Sequence, residues 1–312
     1  MVLSNPFLPS GQDPYVIFKD GWYYHVFVEL PSGWCPIKVR KARTIAGLPA
    51  AESVIVWNPP HTGEGSFDIW APELHYIYNR WYLYYSAADE NGDNNRIYVL
   101  ESDTQDAMGS YHAKGKLSDE IDKWAIDGTV LQKPSGELYF IWSGDDDQIP
   151  HEVTKSHPQD IYVTPMKNPW TLIGRRTCIS KPEYAWEKNG PAPINEGPQI
   201  LERNGIYYIV YSASHSLTDD YCLGLLINRT GDILNPQAWE KYPEPVFQKT
   251  ETVFGPGHCS FTTSPDGTEN WIIYHSAKRK GSGWDRQINV QKFFWTSDGF
   301  PVFGSPITKV AA

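Results

Sequence analysis

Four acidic residues and one histidine stand at corresponding places in five similar stretches of this chain. Each is next to or near a Pro or Gly, ahead of a run of aromatic and β-branched residues: Asp13, Glu73, Asp127, Glu196 and His258. If the fold brings these places together, the crowded carboxylates repel one another and their pKa values move apart. A carboxylic acid with a raised pKa can protonate a leaving oxygen, while a carboxylate that stays ionised can activate water. The hydrolysis of a glycosidic bond needs these two roles.

Taken singly, each of these residues also has a structural interpretation. Asp13 before Pro and Asp127 before Gly are ordinary turn formers. Glu73 lies in an aromatic segment, where it could pair with a neighbouring sheet, and a lone histidine such as His258 is more often structural than a ligand. Glutamate is a poor turn residue, so Glu196 before Gly-Pro is the hardest to explain in this way. The shared position of all five favours a site.

The stretches that carry these residues have the pattern of β-hairpins. In the fourth, a short apolar run at 199–201 leads through an Arg-Asn-Gly turn to the aromatic, β-branched run 206–211. The hairpins begin near residues 13, 71, 127, 196 and 257, roughly every 60 residues, against the 40 to 50 of familiar propeller repeats. Further strand-like runs lie between them, for example 96–101, 159–164 and 222–227. Each unit therefore contains about four strands, the content of one propeller blade.

These units predict an all-β fold, a five-bladed β-propeller, as a single catalytic domain over residues 1–312. No amphipathic helix of normal length stands out. The pattern of residues 286–304 predicts two more strands, which would complete the last blade and close the ring. The alternative is a β-sandwich or a two-domain all-β protein, and the near-even spacing of the hairpins weighs against it.

Composition and net charge exclude some classes of binding partner. With 13 Trp, 19 Tyr, 25 Gly and 25 Pro, the chain favours short strands and tight turns, and its net charge of −10 argues against nucleic acid or an anionic membrane surface. No apolar run approaches the roughly 18 residues of a membrane span. The first residues do not read as a signal peptide, so the protein is either cytoplasmic or secreted with its natural leader replaced. Four scattered cysteines exclude a Cys-based zinc site and leave disulfides open.

We call the four acidic residues and the histidine the heads of their five units. Around these heads the chain resembles glycoside hydrolase family 43, from Asn5 to about Pro306. The motifs that carry the resemblance are Gln12-Asp13-Pro14-Tyr15, Trp70-Ala71-Pro72-Glu73, Ile126-Asp127-Gly128, Asn195-Glu196-Gly197-Pro198 and Gly255-Pro256-Gly257-His258. Any one of them is a weak signal, but all five in this order are specific. The resemblance implies a five-bladed propeller that hydrolyses arabinose- or xylose-containing polysaccharides with inversion at the anomeric carbon.

The resemblance also implies roles for the heads. Asp13 would be the general base, Glu196 the general acid, and Asp127 the residue that raises the pKa of the acid and orients it. Inversion requires about 6.5–9.5 Å between acid and base, which leaves room for the attacking water. The chemistry would need no cofactor, while His258 matches a histidine that helps to hold a metal ion, often calcium, largely through waters.

Four residues in or near the five units are candidates for sugar binding. Trp70 is expected to form a wall of the site, with Phe67 second, because aromatic faces stack on sugar rings. We also assign Glu73 to substrate binding. Arg286 would bind sugar hydroxyls and keep Asp13 ionised, the alternative being a solvated arginine at a sheet edge.

Segments 159–174, 184–190, 211–215 and 300–304 look most like α-L-arabinofuranosidases, including those that release single arabinoses from α-1,5-arabinan. We therefore expect a monomeric exo-acting enzyme on arabinose-containing oligo- or polysaccharides. A β-xylosidase or an endo-arabinanase could use the same three carboxylates. Retaining sucrose- and fructan-cleaving propellers also carry an Asp-Pro turn, but typically between Asn and Asn-Gly, whereas this turn is Gln-Asp-Pro-Tyr. A non-catalytic lectin propeller would repeat one similar site in each blade, and these five heads differ.

Overall fold

The structure is a computed structural model that describes residues 4–29, 32–92, 94–145 and 158–308. These residues form five antiparallel sheets arranged as a five-bladed β-propeller, which confirms the predicted fold class. Within the described ranges, helical structure is confined to short 3₁₀ segments at Ile45–Ala50, Ala185–Glu187 and Pro236–Ala238. None of the helices in those ranges is long and apolar enough to cross a membrane.

The strands follow chain order from the axis outwards, except at the outer edge of the third blade. Blade I contains β1 (Tyr15–Lys19), β2 (Trp22–Phe27), β3 (Ile37–Ala42) and β4 (Ser53–Trp57). Blade II contains β5 (Phe67–Ile77), β6 (Arg80–Ala88), β7 (Arg96–Ser102) and β8 (Tyr111–Leu117). Blade III contains β9 (Ala125–Gln132), β10 (Leu138–Asp145), β11 (Gln159–Asn168), β12 (Thr171–Leu172) and β13 (Thr177–Ser180). At its outer edge β12 and β13 both pair with β11. Blade IV contains β14 (Asn195–Arg203), β15 (Ile206–Ala213), β16 (Cys222–Asn228) and β17 (Trp239–Lys241). Blade V contains β18 (Phe254–Thr263), β19 (Asn270–Ala277), β20 (Arg286–Trp295) and β21 (Pro301–Val302).

The second strands show why these sequences form blades. All of β15 after Ile206 is buried, since neighbouring blades cover both faces of the sheet. From residue 206 to 211 its sequence is therefore an unbroken apolar and aromatic run rather than an alternation of polar and apolar residues. The turn before it places Asn204 at φ 55° and Gly205 at φ 77°. Two consecutive positive φ angles are the geometry of the tight hairpin turn that Asn-Gly favours.

Among the described residues the hydrophobic core forms five clusters, and each lies between two successive blades. One cluster joins Val26 and Ile37 of blade I to Leu83 and Leu100 of blade II. The other four repeat this arrangement around the ring, the last joining blade V to blade I. The first strands β1, β5, β9, β14 and β18 contact one another in sequence and surround the axis. Apolar burial therefore holds the blades together side by side.

The ring closes where the N-terminal segment meets blade V. Leu8 pairs with Ile288 of β20, and the backbone N–H of Phe7 donates to the Ile288 carbonyl at 2.7 Å. The Asn5 side-chain amide donates to the carbonyls of Val290 at 3.1 Å and Ile307 at 3.0 Å. Asn5 also accepts from the Val290 N–H at 2.9 Å. The predicted tail strands are present as β20 and β21, and the start of the chain joins them.

At one end of the axis the first strands are irregular. Register shifts interrupt the pairing of β5, β9, β14 and β18 with their second strands. The prediction that each head residue precedes its first strand is correct for Asp13 only. The other four heads, Glu73, Asp127, Glu196 and His258, lie inside the strands. The reason is that the bulged backbone continues to pair beyond the head, and a bulge also re-aims the side chains beside it.

Candidate active site

A cavity of about 440 Å³ opens at this irregular end of the axis. Its lining includes Asp13, Trp70, Asp127, Glu196 and His258, and so brings together five residues that the sequence singled out. The remaining lining residues are Gln12, Val28, Ser32, Ile69, Trp124, Ile126, Gln159, Ile194, His215, Ser216, Tyr221 and Trp284. Carboxyl groups and an imidazole thus face a pocket whose walls are largely aromatic and aliphatic, a common form of small-ligand site.

Three of the heads adopt a left-handed backbone conformation. The φ angles are 45° at Asp13, 55° at Asp127 and 43° at His258. Non-glycine residues take this conformation at an energetic cost, and they persist in it only where the surroundings determine it. Here the conformation aims each side chain into the cavity.

Side chains of the preceding blade hold the backbone of these three heads in place. The N–H of Asp127 donates to Ser86 Oγ at 3.0 Å, and the N–H of His258 donates to Ser212 Oγ at 2.8 Å. The N–H of Asp13 points at His275 Nδ1, 3.1 Å away. In each case a side chain on a second strand positions the head of the next blade. The heads therefore depend on the packing of whole blades.

Asp13 is held in its ionised form. Burial alone raises the pKa of its carboxyl group, but the charge of His258, the contact with His275 and the charge of Arg286 outweigh burial and lower this pKa well below its usual range. His258 Nδ1 lies 3.2 Å from Asp13 Oδ1, and His275 Nδ1 lies 3.3 Å from the same oxygen. Burial and Arg286 lower the pKa of His275 to about 3, so its ring is neutral. In a neutral imidazole, Nδ1 either accepts from the Asp13 backbone N–H or, when it carries the proton, donates to the Asp13 carboxylate, and it cannot do both at once.

The pKa values of Asp127 and Glu196 are raised, whereas that of Asp13 is lowered. Burial raises the pKa of Asp127 well above its usual value, the charge of His258 opposes this, and the charges of Glu196, Asp13 and Glu73 add to it. Burial also raises the pKa of Glu196, against a hydrogen bond from Tyr221 and the charge of His258. The N–H of Gly197 donates to Asp127 Oδ2 at 3.2 Å, which links the Asp127 carboxyl group to the backbone next to Glu196. This buried pair retains a proton to higher pH than free carboxyl groups do, whereas Asp13 remains ionised.

His258 lies among these carboxylates. Its Nδ1 is 3.2 Å from Asp13 Oδ1 and 3.9 Å from Asp127 Oδ2. Burial lowers the pKa of His258, but the charges of Asp13, Asp127 and Glu196 outweigh burial and raise it. The imidazolium form that results compensates part of the negative charge in the cavity.

The calcium ion predicted from the resemblance can be tested against these donors. In the described ranges, no group of three or more His, Cys, Asp or Glu side chains is arranged to hold a metal ion. Calcium takes six to eight oxygen ligands, whereas the imidazole of His258 offers nitrogen. A directly coordinated calcium ion does not fit these residues. An ion held only through waters stays a prediction.

Three of the four expected sugar-binding residues are absent from the cavity lining. Only Trp70 belongs to it, while Phe67 is a half-buried residue at the start of β5. Glu73 lies further along β5 and is 4% exposed; it accepts from Gln199 Nε2 and pairs with His75 Nε2 at 2.7 Å. Bulges interrupt β5 on both sides of Trp70, and they determine which residues of this strand face the cavity.

Arg286 is 3% exposed, so the alternative of a solvated edge arginine is wrong. Its guanidinium contacts the His275 ring, donates to the Ser216 carbonyl, and lies over the Trp284 ring, 4.2 Å from the centroid. It therefore stands behind His275 and not on the cavity wall. Its charge reaches Asp13 from that place and contributes to keeping it ionised.

Sequence reasoning missed Tyr221 and Trp284 and gave His275 no role. A signal for His275 was present: three other second strands carry an aromatic residue before serine, at Tyr85-Ser86, Trp142-Ser143 and Tyr211-Ser212, and blade V has His275-Ser276 instead. Tyr221 and Trp284 lie in connections between strands, where no repeat marks them. All four cysteines are free thiols, which settles the question of disulfides.

A family model described as "Glycosyl hydrolases family 43" matches residues 3–301. The chain belongs to this family. Among its relatives, alpha-L-arabinofuranosidase 43 of Humicola insolens is 33% identical over 97% of the chain. Two extracellular exo-alpha-(1->5)-L-arabinofuranosidases, from Streptomyces avermitilis and Streptomyces chartreusis, are 34% and 35% identical over 98% and 89% of the chain. The chain spans 63% of the first relative, 64% of the second and 83% of the third.

The fold of the family 43 chain also matches solved structures. The crystal structure of alpha-L-arabinofuranosidase from Lactobacillus brevis superposes with a TM-score of 0.88 and is 35% identical, with 97% of each chain covered. A thermostable family-43 glycoside hydrolase superposes with a TM-score of 0.79 at 27% identity.

Proposed function

We propose that this chain is an inverting, exo-acting α-L-arabinofuranosidase. One observation carries the proposal: a single cavity holds a carboxylate kept ionised, Asp13, and a buried carboxyl group with a raised pKa, Glu196. These are the two protonation states that acid–base hydrolysis of a glycoside needs at once. The names of the relatives support arabinofuranose as the sugar, and exo action is supported by the two Streptomyces enzymes.

In the proposed mechanism Glu196 gives its proton to the glycosidic oxygen as the bond to the leaving group breaks. Asp13 takes a proton from a water molecule that attacks the anomeric carbon from the opposite face. The product therefore has the inverted configuration. Asp127 accepts from the Gly197 N–H in β14, next to the acid, and its carboxyl group is electrostatically coupled to that of Glu196. Its proposed role is to orient the acid and, through this coupling, to keep the pKa of Glu196 raised.

Trp70 is proposed to form a wall against the bound sugar, because it lines the cavity beside the acidic groups. We assign Arg286 and Glu73 indirect roles. Arg286 acts on Asp13 through its charge, and Glu73 adds negative charge near Asp127 from below the cavity. No sugar contact is proposed for Phe67.

The mechanism is tested with Glu196→Ala and Asp13→Ala. Each variant is expected to lose about 10²-fold or more of kcat on unactivated arabino-oligosaccharides, the contribution of a positioned acid or base, with its fold intact by circular dichroism. An active Glu196→Ala enzyme on those substrates would refute the assignment. Proton NMR of the first-formed anomer checks inversion, and a retained configuration would exclude the proposed role of Asp13.

The substrate is tested by product analysis on linear arabinan, branched arabinan and arabinoxylan in parallel. Release of single arabinoses from chain ends is expected. Internal cleavage, or release of xylose, would indicate the endo-arabinanase or β-xylosidase alternative.

The proposal also covers the domain organisation, the oligomeric state, the partners and the cofactor requirement of the protein. Residues 1–312 act as one catalytic domain, supported by the contact of the N-terminal segment with blade V. The protein binds arabinose-containing carbohydrate as a monomer, with no nucleic acid or membrane as partner, and hydrolysis proceeds without a cofactor. Light scattering checks the monomer, and unchanged activity in EDTA checks the cofactor.

A further inference from the structure

Tyr221 lies directly before β16 and is completely buried, with its ring on the cavity wall. Its hydroxyl group donates to Glu196 Oε1 at 2.7 Å. Burial and the charge of Glu196 raise the pKa of Tyr221 well above its usual value, so the hydroxyl keeps its proton and remains the donor. A buried phenol hydrogen-bonded to a buried carboxyl group is costly to separate, because each group would lose a hydrogen bond that compensates part of its desolvation.

The Tyr221 ring is fixed from several sides. It stacks on the His275 ring at 5.5 Å between centroids and 22° between planes, and the Arg286 guanidinium lies 5.4 Å from its centroid. On a further side is Gly257, where a Cβ atom would come within 2.3 Å of Tyr221 Cε1. Glycine at 257 therefore leaves the room that the ring occupies, and the hydroxyl cannot turn away from Glu196.

From this geometry we propose that Tyr221 is a positioning residue for the general acid, which selects the oxygen of Glu196 that carries the transferable proton. The proposal rests on the proposed function. In a carboxylic acid the carbonyl oxygen is the better acceptor, so a donor fixed on Oε1 places the acidic proton on Oε2. Tyr221 thereby fixes which oxygen delivers the proton to the sugar.

The hydrogen bond also changes during the reaction. When Glu196 gives its proton away, it becomes a carboxylate, and the bond from Tyr221 becomes charge-assisted and about twice as strong. Tyr221 therefore stabilises the state that follows proton transfer more than the state that precedes it. This is the differential binding that accelerates a chemical step.

Several charged groups face Glu196 and influence its titration. The charges of His258 and Arg286 favour its ionised form, while Asp13 and the coupled Asp127 oppose it. Tyr221 contributes on the side of the ionised form through its hydrogen bond. Removing only the hydroxyl leaves the four charges in place, so Tyr221→Phe isolates this contribution.

Tyr221→Phe is expected to lower kcat on unactivated arabino-oligosaccharides about tenfold or more, since a hydrogen bond to a charged group is lost in the transition state. On p-nitrophenyl arabinofuranoside, whose leaving group needs little acid assistance, the loss is expected to be smaller. The basic limb of the kcat/KM profile moves to higher pH, because Glu196 holds its proton longer. Tyr208→Phe is the matched control: Tyr208 is 1% exposed in the same blade and donates to the Gly299 carbonyl at 2.9 Å.

A second measurement does not depend on sugar hydrolysis. Carbon-13 NMR of enzyme labelled at the glutamate carboxyl carbon, with Glu196→Gln to assign the signal, is expected to show Glu196 titrating at higher pH in Tyr221→Phe than in the parent protein and in Tyr208→Phe. An unmoved titration, or equal losses of kcat on both substrates with an unmoved basic limb, would overturn the role of Tyr221. A parent protein that hydrolyses no arabinofuranoside would instead defeat the proposed function, and the titration would still report on the contact.

Discussion

His258 Nδ1 lies 3.2 Å from Asp13 Oδ1, so the head of blade V neutralises the head of blade I at the point where the ring closes. Both residues have left-handed backbones, and both have their N–H groups directed at a second-strand side chain of the preceding blade. The proposed base thus owes part of the stabilisation of its ionised state to a residue about 245 positions away in the chain, brought to it by closure of the propeller.

His258→Ala should move the acidic limb of the kcat/KM profile to higher pH. The imidazolium lowers the pKa of Asp13, so its removal raises that pKa and a higher pH is needed to ionise the base. The measurement is the pH dependence of hydrolysis of p-nitrophenyl arabinofuranoside. His112→Ala serves as the control, since the His112 side chain is 50% exposed and pairs with Asp103 outside the site. An acidic limb that stays in place in His258→Ala would contradict this account of Asp13.

Asp127→Asn should move the basic limb to lower pH. Asp127 and Glu196 are coupled, so that ionisation of either one opposes ionisation of the other, and a side chain at 127 that cannot ionise lets Glu196 lose its proton at lower pH. We expect kcat to fall about 10²-fold, because the acid is both less protonated and less well oriented. The direction is opposite to that expected for Tyr221→Phe. If the two variants shift the limb in the same direction, the assignment of the limb to Glu196 is wrong.

Glu187→Gln should destabilise the protein by about 3 kcal/mol, the cost of leaving one partner of a buried ion pair uncompensated. The Glu187 side chain is fully buried and pairs with Lys241 at 2.8 Å, and it also accepts from Asn195, the residue before Glu196, at 2.8 Å. Chemical denaturation at neutral pH measures the loss. Asp220→Asn is the control, because its pair with Lys249 is 43% and 48% exposed and should contribute less than about 1 kcal/mol.

The ion pair between Glu187 and Lys241 should also make the free energy of unfolding depend on pH. Burial raises the pKa of Glu187, but the hydrogen bond and charge of Lys241 outweigh burial and lower it. A depressed carboxyl pKa contributes stability above the pKa of the unfolded chain and loses it as the pH falls through the folded pKa. The difference between the parent protein and Glu187→Gln should therefore shrink in acid. A constant difference down to low pH would show that charge is not its source.

Asn5→Ala should destabilise the ring by about 2 kcal/mol, since three hydrogen bonds to Val290 and Ile307 are lost. The effect is expected on the free energy of unfolding in urea, with kcat of the remaining folded enzyme unchanged. Asn94→Ala removes one exposed hydrogen bond, from Asp89 N–H at 3.0 Å, and should cost less than about 1 kcal/mol. Equal effects of the two variants would argue against the N-terminal segment as the closure of the ring.

The sequence by itself determined the all-β fold and the five blades, because a propeller repeats one local pattern: a polar head, a tight turn, and an aromatic strand buried on both faces. That local repeat also placed Asp13, Asp127, Glu196 and His258 at equivalent positions, and the structure brings all four to one cavity. Such equivalence follows from symmetry, and no contact between distant residues has to be known in advance.

The tertiary structure alone decided what lies around those heads. Bulges in β5 give Trp70, and not Glu73 or Phe67, a place on the cavity wall, because a shift of one residue in a strand reverses the faces of the side chains. Tyr221 and Arg286 reach the site through the packing of blade IV against blade V, so their roles depend on distances between blades that no local pattern encodes. The pKa values of Asp13 and Glu196 move apart for the same reason, since burial and neighbouring charges exist only once the ring has closed.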